Sequence, residues 1–162
     1  MGKILRKFIY LFFAVCSSLV YVSCDETECT ESSIVEFSGN FYRKRNNAAY
    51  TDTLAIYGIK APNDSLLVDT VAIKGIALPL KYAGTETTFV FDFINRAKAG
   101  FVRDTVSVFH QNNVHFISDA CGCTMFFTID SIAYTRHKID SIAINSKDVI
   151  NEPKENIQLF FQ

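Results

Sequence analysis

The residues best suited to chemistry in this chain are five cysteines and three histidines, and their spacing limits what they can do. Cys121 and Cys123 are separated by one glycine, and Cys29 stands far upstream. In an oxidising compartment, an early and a late cysteine form a long-range bridge by default. The expected pair is Cys29 with Cys121, with Cys29–Cys123 left open as the alternative. Closing such a loop of about 90 residues contributes roughly 4–5 kcal/mol in the chain-entropy picture. Cys123 is then expected as a buried free thiol. The competing reading makes Cys121-Gly122-Cys123 a strained, reducible pair. Against it, no βαβ pattern surrounds the motif and no helix start is at hand to lower a thiol pKa. The histidines suggest a second arrangement. Val106 to Gln111, then Asn112-Asn113, then Val114 to Asp119 reads as a hairpin with a two-residue turn. In that register His110 faces His115, with Cβ atoms about 5 Å apart, which is half of a metal site. Cys121 would lie roughly 20 Å along the strand and Asp119 is also too distant to complete the site. A thiol or metal site built on Cys121, Cys123 and the His110/His115 pair is therefore the alternative reading, and the expectation is an exposed His pair with no metal and no other cofactor.

Other chemistry leaves no trace in the pattern. There is no G-x-S-x-G elbow, no H-E-x-x-H, no S-x-x-K and no glycine-rich phosphate loop, and only 7 Gly occur. No catalytic residue is assigned, and a non-enzymatic role is expected. A short pattern of Asp, then Ser or Thr, then alternating aliphatic residues recurs from Asp52, Asp69, Asp104, Asp130 and Asp140. Its irregular offsets exclude a solenoid. The physical reading is a strand opener, in which Asp closes a turn and large apolar residues then fall on one face.

The elements that must position these residues are strands. The chain is 49% hydrophobic and 20% charged, enough for a packed core, and it carries 15 Phe and 7 Tyr but no Trp. Thr87 to Phe93 alternates, with Phe89, Phe91 and Phe93 on one face. Polar turns are expected at Asn46-Asn47, Ala61 to Asp64, Tyr82 to Thr85, Ala97 to Gly100 and Arg136 to Lys138. About eight short antiparallel strands in one all-β sandwich, immunoglobulin-like or transthyretin-like, follow from this spacing.

The first residues give an address. Lys3, Arg6 and Lys7 precede an apolar stretch from Phe8 to Val22, about 15 residues and short of the roughly 20 needed to span a bilayer. It ends in Tyr21-Val22-Ser23-Cys24, which resembles the lipobox of bacterial lipoproteins in the looser Bacteroidetes form. The resemblance implies that residues 1–23 are removed and that Cys24 carries a diacylglycerol. The organisation expected is a signal peptide over 1–23, a lipidated tether over 24–33 and one β-sandwich over 34–162. Asp25, Glu26 and Glu28 make the tether acidic and resemble an export signal towards the outer face of the outer membrane. Losing Lys3, Arg6 and Lys7 leaves 13 basic against 17 acidic residues, a net charge of −4. A mildly acidic domain is a poor partner for nucleic acid. The partners expected are the membrane, through the lipid, and an envelope protein or glycan, in the cell envelope at the outer membrane.

Read as a whole, the chain resembles a family of small Bacteroidetes-type lipoproteins of unknown function. The residues that carry the resemblance are Cys24, Cys29 in its acidic tether, Ala120-Cys121-Gly122, Ile76 to Leu80 and the closing run Asn156 to Phe160. One early and one late cysteine recur in that pattern and fit the Cys29–Cys121 bridge, with Cys123 an addition. The resemblance implies no activity, substrate or cofactor.

Overall fold

The structure is a computed structural model that describes residues 28–59, 65–95 and 100–162. The expectations for Cys24, for residues 1–23 and for the turns at 61–64 and 97–99 lie outside the described residues. The described chain is all-β. Its strands are β1 (Phe37–Arg43), β2 (Asp52–Ile59), β3 (Leu66–Ile73), β4 (Gly75–Leu78), β5 (Glu86–Asn95), β6 (Gly100–Ser118), β7 (Gly122–Tyr134), β8 (Ile139–Ile144), β9 (Asp148–Val149) and β10 (Ile157–Phe161).

They form two sheets, one ordered β4-β1-β10-β8 and the other β3-β2-β5-β6-β7-β9. Alternation builds the interface between them. On β5, Phe89, Phe91 and Phe93 all turn inward and are buried, as their spacing predicts. The smaller sheet answers with Phe37, Phe41, Ile157, Leu159 and Phe161. Rings meet across the layers: Phe37 stacks on Phe89 at 6.5 Å and Phe93 meets Phe161 edge-on at 5.7 Å. Such aromatic pairs contribute about 0.5–1.5 kcal/mol each beyond the area they bury.

Among the described residues, ten strands in two sheets replace the expected eight. The pairing is not wholly antiparallel either, because β1 runs parallel to β10, with Phe41 opposite Leu159. A parallel neighbour needs a long crossover, and here everything between Arg43 and Ile157 supplies it. Gly39 sits in this pair. A Cβ there would come within 2.5 Å of the Ile157 side chain and 3.1 Å of the Ile157 carbonyl, so the close approach of the two strands requires glycine.

The largest departure concerns the histidines. Asn112-Asn113 is not a turn, because β6 runs straight through it for 19 residues. The chain reverses instead at Asp119 to Cys121, where Gly122 has φ +72°, a value that suits glycine. His110 and His115 therefore share one strand and do not pair across a hairpin. Five residues apart, they point to opposite faces. His110 is buried, and His115 is stacked on Phe126 at 4.3 Å. The recurrent aspartates also divide. Asp52 and Asp140 stand at strand starts, while Asp69, Asp104 and Asp130 lie within β3, β6 and β7.

Candidate functional site

Cys29 and Cys121 form a disulfide across 92 residues, which removes Cys121 from any redox pair with Cys123. Cys123 is a free thiol, but exposed and not buried as expected. It lies opposite Phe116 on the distal part of the β6–β7 hairpin, where Phe116 is itself 57% exposed. Inward parity does not ensure burial there, because the smaller sheet does not cover that end. Among the described residues no cluster of three or more His, Cys, Asp or Glu side chains could hold a metal.

His110 belongs to a closed network. The Asn112 side-chain amide donates to the carbonyls of Tyr82 and Gly84 at 2.7 and 2.9 Å, so its oxygen faces His110 Nδ1 at 2.7 Å. Nδ1 must then carry the proton, an assignment made from the network. Nε2 accepts from the Thr87 hydroxyl at 2.9 Å, and that hydroxyl accepts from the Lys81 N–H at 2.9 Å. Every polar atom is satisfied by a neutral ring. Burial lowers the His110 pKa, outweighing the hydrogen bond to Asn112 and the field of Asp130. This is a brace for the turn over 82–85, with no group left to meet a ligand.

Asp104 is likewise structural. It is fully buried, and its two oxygens accept from the backbone N–H groups of His137, Lys138 and Ile139 at 2.7–2.9 Å and from the Thr135 hydroxyl at 2.8 Å. His137 Nδ1 adds a contact at 3.0 Å. Burial raises the Asp104 pKa, but these donors outweigh it and hold the carboxyl below its usual range. The carboxylate thus shapes the turn at Arg136 to Lys138 before β8.

A different surface has groups to offer. The outer face of the smaller sheet carries Asn40 and Tyr42 on β1 opposite Gln158 and Phe160 on β10. Gly75, Ser141 and Ala143 flank them at paired positions. Small neighbours leave the Tyr42 and Phe160 rings half-exposed, with centroids 5.9 Å apart. Glu155, from the segment before β10, reaches over this face. Its carboxylate accepts from Tyr42 Oη at 2.8 Å, Asn40 Nδ2 at 2.9 Å, Gln158 Nε2 at 2.9 Å and Asn145 Nδ2 at 3.3 Å. A carboxylate only accepts, so each amide must turn its NH₂ inward and keep its carbonyl oxygen as the acceptor.

The segment that presents Glu155 is itself pinned. Asn156 is buried, takes the Ser38 N–H on its oxygen at 3.0 Å and donates to the Asp148 carbonyl at 2.8 Å. The Ser38 hydroxyl donates to the Lys154 carbonyl. Beside the cluster lies a hollow of about 510 Å³, walled by Ser38, Asn40, Ala77, Ile150, Lys154 and Glu155 among others.

The electrostatics favour holding over reacting. Burial raises the Glu155 pKa, but the bonds from Gln158, Tyr42 and Asn40 outweigh it and keep the carboxyl ionised. The hydrogen bond to Glu155, with burial and the carboxylate charge, raises the Tyr42 pKa. One group stays charged and the other protonated across neutral pH, so the pair has no proton to exchange there. Sequence reasoning missed this cluster. Its only outward sign was the closing run Asn156 to Phe160, which contains Gln158 and Phe160.

Residues 53–161, from β2 through β10, match a family model described as a family of unknown function (DUF6452). No curated protein and no solved structure matches the chain.

Proposed function

The chain belongs to the DUF6452 family of unknown function, and on that premise we propose that it is a lipid-anchored, non-catalytic module of the cell envelope that holds a glycan on the outer face of its smaller sheet. Residues 1–23 act as the signal peptide, Cys24 takes the lipid, residues 24–33 are the tether and residues 34–162 form a sandwich-type binding domain at the outer membrane. Several acyl chains hold a protein stably, since each buried CH₂ contributes about 0.8 kcal/mol. The Cys29–Cys121 bridge fits an oxidising compartment.

The observation that carries the binding reading is the Glu155 cluster beside the Tyr42 and Phe160 rings. Sugars offer hydroxyl donors around a ring with apolar faces. Amide carbonyls fixed by a carboxylate accept the former, and half-exposed aromatic rings pack on the latter. The net charge of −4 after removal of residues 1–23 favours a neutral glycan over a polyanion.

Binding of the protein, extracted from membranes, to immobilised neutral envelope polysaccharides tests this. Tyr42→Ala and Glu155→Gln should each weaken binding about tenfold, whereas Phe109→Ser on the other sheet should leave it unchanged. Absence of binding to every neutral polysaccharide would discard the glycan. A protein partner lost with Tyr42→Ala would keep the face and change its occupant.

A further inference from the structure

The β6–β7 hairpin continues the core face beyond the smaller sheet. On β6 the inward positions Val106, Val108 and His110 are buried and Asn112 is half-buried, but Val114 and Phe116, further along the same parity, are 72% and 57% exposed. Across the ladder, Val114 faces Met125 and Phe116 faces Cys123. Val114, Phe116 and Cys123 make one exposed face on the open end of a two-stranded arm, and half-buried Met125 joins its inner edge to the core. From Thr105 to Tyr134 the arm holds no Lys or Arg, and its only acids are Asp119 and Asp130.

The disulfide states where this arm is held. Its tip residue Cys121 is bonded to Cys29, five residues after Cys24. Fully extended, five residues span at most about 18 Å. A lipid on Cys24 would therefore keep the tip within that distance of the bilayer surface, and contact between arm and bilayer would become intramolecular.

We propose that the exposed face of Val114, Phe116 and Cys123 docks into the interfacial region of the bilayer that carries the anchor, so that the bridge sets the orientation of the domain on the membrane. The occupant is a zwitterionic lipid surface, because an arm without Lys or Arg has nothing to attract anionic headgroups. This rests on the reading of Cys24 as the lipid-bearing residue. Docking is a weak, oriented contact added to the anchor, which alone provides retention.

Cys123 itself reports on it. With Cys24 blocked by lipid and Cys29 bonded to Cys121, it is the one thiol left among residues 24–162, so an environment-sensitive fluorophore can be attached there without reduction. The full chain, matured in cells, is purified from membranes, labelled and reconstituted into phosphatidylcholine vesicles. The expected result is a blue-shifted emission, quenched by nitroxides placed shallowly in the lipid and protected from aqueous iodide, with no strengthening when anionic lipid is added.

The V114S/F116S double variant, with acylation and flotation unchanged, should weaken protection roughly tenfold. The C29S/C121S variant should lose it in part, since the tip is then released from the tether. An acylated, floating protein whose probe stays accessible to iodide would overturn the docking while leaving the anchor intact. A chain of unacylated mass that does not float would overturn the anchor and the docking together. Protection that rises with protein density and ignores lipid nitroxides would assign the face to a second copy instead.

Discussion

Asp104 and His110 are both buried titratable residues of β6, and they respond to acid by different routes. Asp104 is held as a carboxylate by three backbone N–H groups, and its folded pKa is depressed. The stability it contributes is present above its unfolded value, about 3.9, and is lost as pH falls through the lower folded value. Asp104→Asn keeps the shape but turns an NH₂ towards donors. It should cost about 3 kcal/mol at pH 7, with a smaller penalty at pH 3, read from urea unfolding at the two pH values. His110 is held neutral, and its folded pKa is lowered as well. Protonation would place a second donor against the Thr87 hydroxyl, which already accepts from Lys81 N–H. The unfolded chain binds this proton more readily, so stability is full above about pH 6.5 and falls as pH drops below it. The charged group whose field reaches His110 is Asp130. In His110→Gln that part of the slope between pH 7 and 5 should vanish. A slope equal to the parent's would assign it to other residues.

At the scale of elements, the β6–β7 hairpin shows what a sequence can and cannot reveal. The inward face of β5 is legible because it is local: three Phe at every second position can only be a buried face. The turn is not legible, because Asn112-Asn113 has turn composition while its structure is decided elsewhere. Asn112 spends its amide on Tyr82 and Gly84, some thirty residues earlier, and no window along the chain contains both partners. The signal that was available is Gly122, beside the cysteine already singled out. At φ +72° it is the residue that lets the chain reverse. Gly122→Ala should cost about 1–2 kcal/mol, seen as a fall in thermal midpoint, and an unchanged midpoint would place the reversal elsewhere. The same reasoning explains why the parallel β1–β10 pair and the Glu155 cluster left no motif. Each joins the two ends of the domain, and Asn40 reaches Glu155, with Asn145 and Gln158, only once β1 pairs with β10.

For the molecule as a whole, the bridge decides how the tether leaves the domain. Cys29 is fixed to the β6–β7 tip, and the following segment is held by Thr124 Oγ1 donating to the Ser33 carbonyl at 3.1 Å and by Asn151 Nδ2 donating to the Ser32 carbonyl at 2.8 Å. Val35 then enters the core. Two exposed hydrogen bonds contribute about 0.5–1.5 kcal/mol each at most, less than a bridge that closes a loop of 92 residues. The covalent link is therefore the main restraint on residues 28–34. C29S/C121S should cost about 3–5 kcal/mol of global stability. It should also expose that segment to protease under conditions where the two-sheet core, with its Phe37–Phe89 and Phe93–Phe161 contacts, still resists. Intact mass makes the link countable beforehand. Protein from membranes should take one alkyl group before reduction and three after, with acyl chains on Cys24. Two alkyl groups before reduction and four after would mean a bridge beside an unmodified Cys24. None before reduction and four after would mean that Cys24 and Cys123 are bridged as well, and the domain would then be stapled twice and free of the membrane.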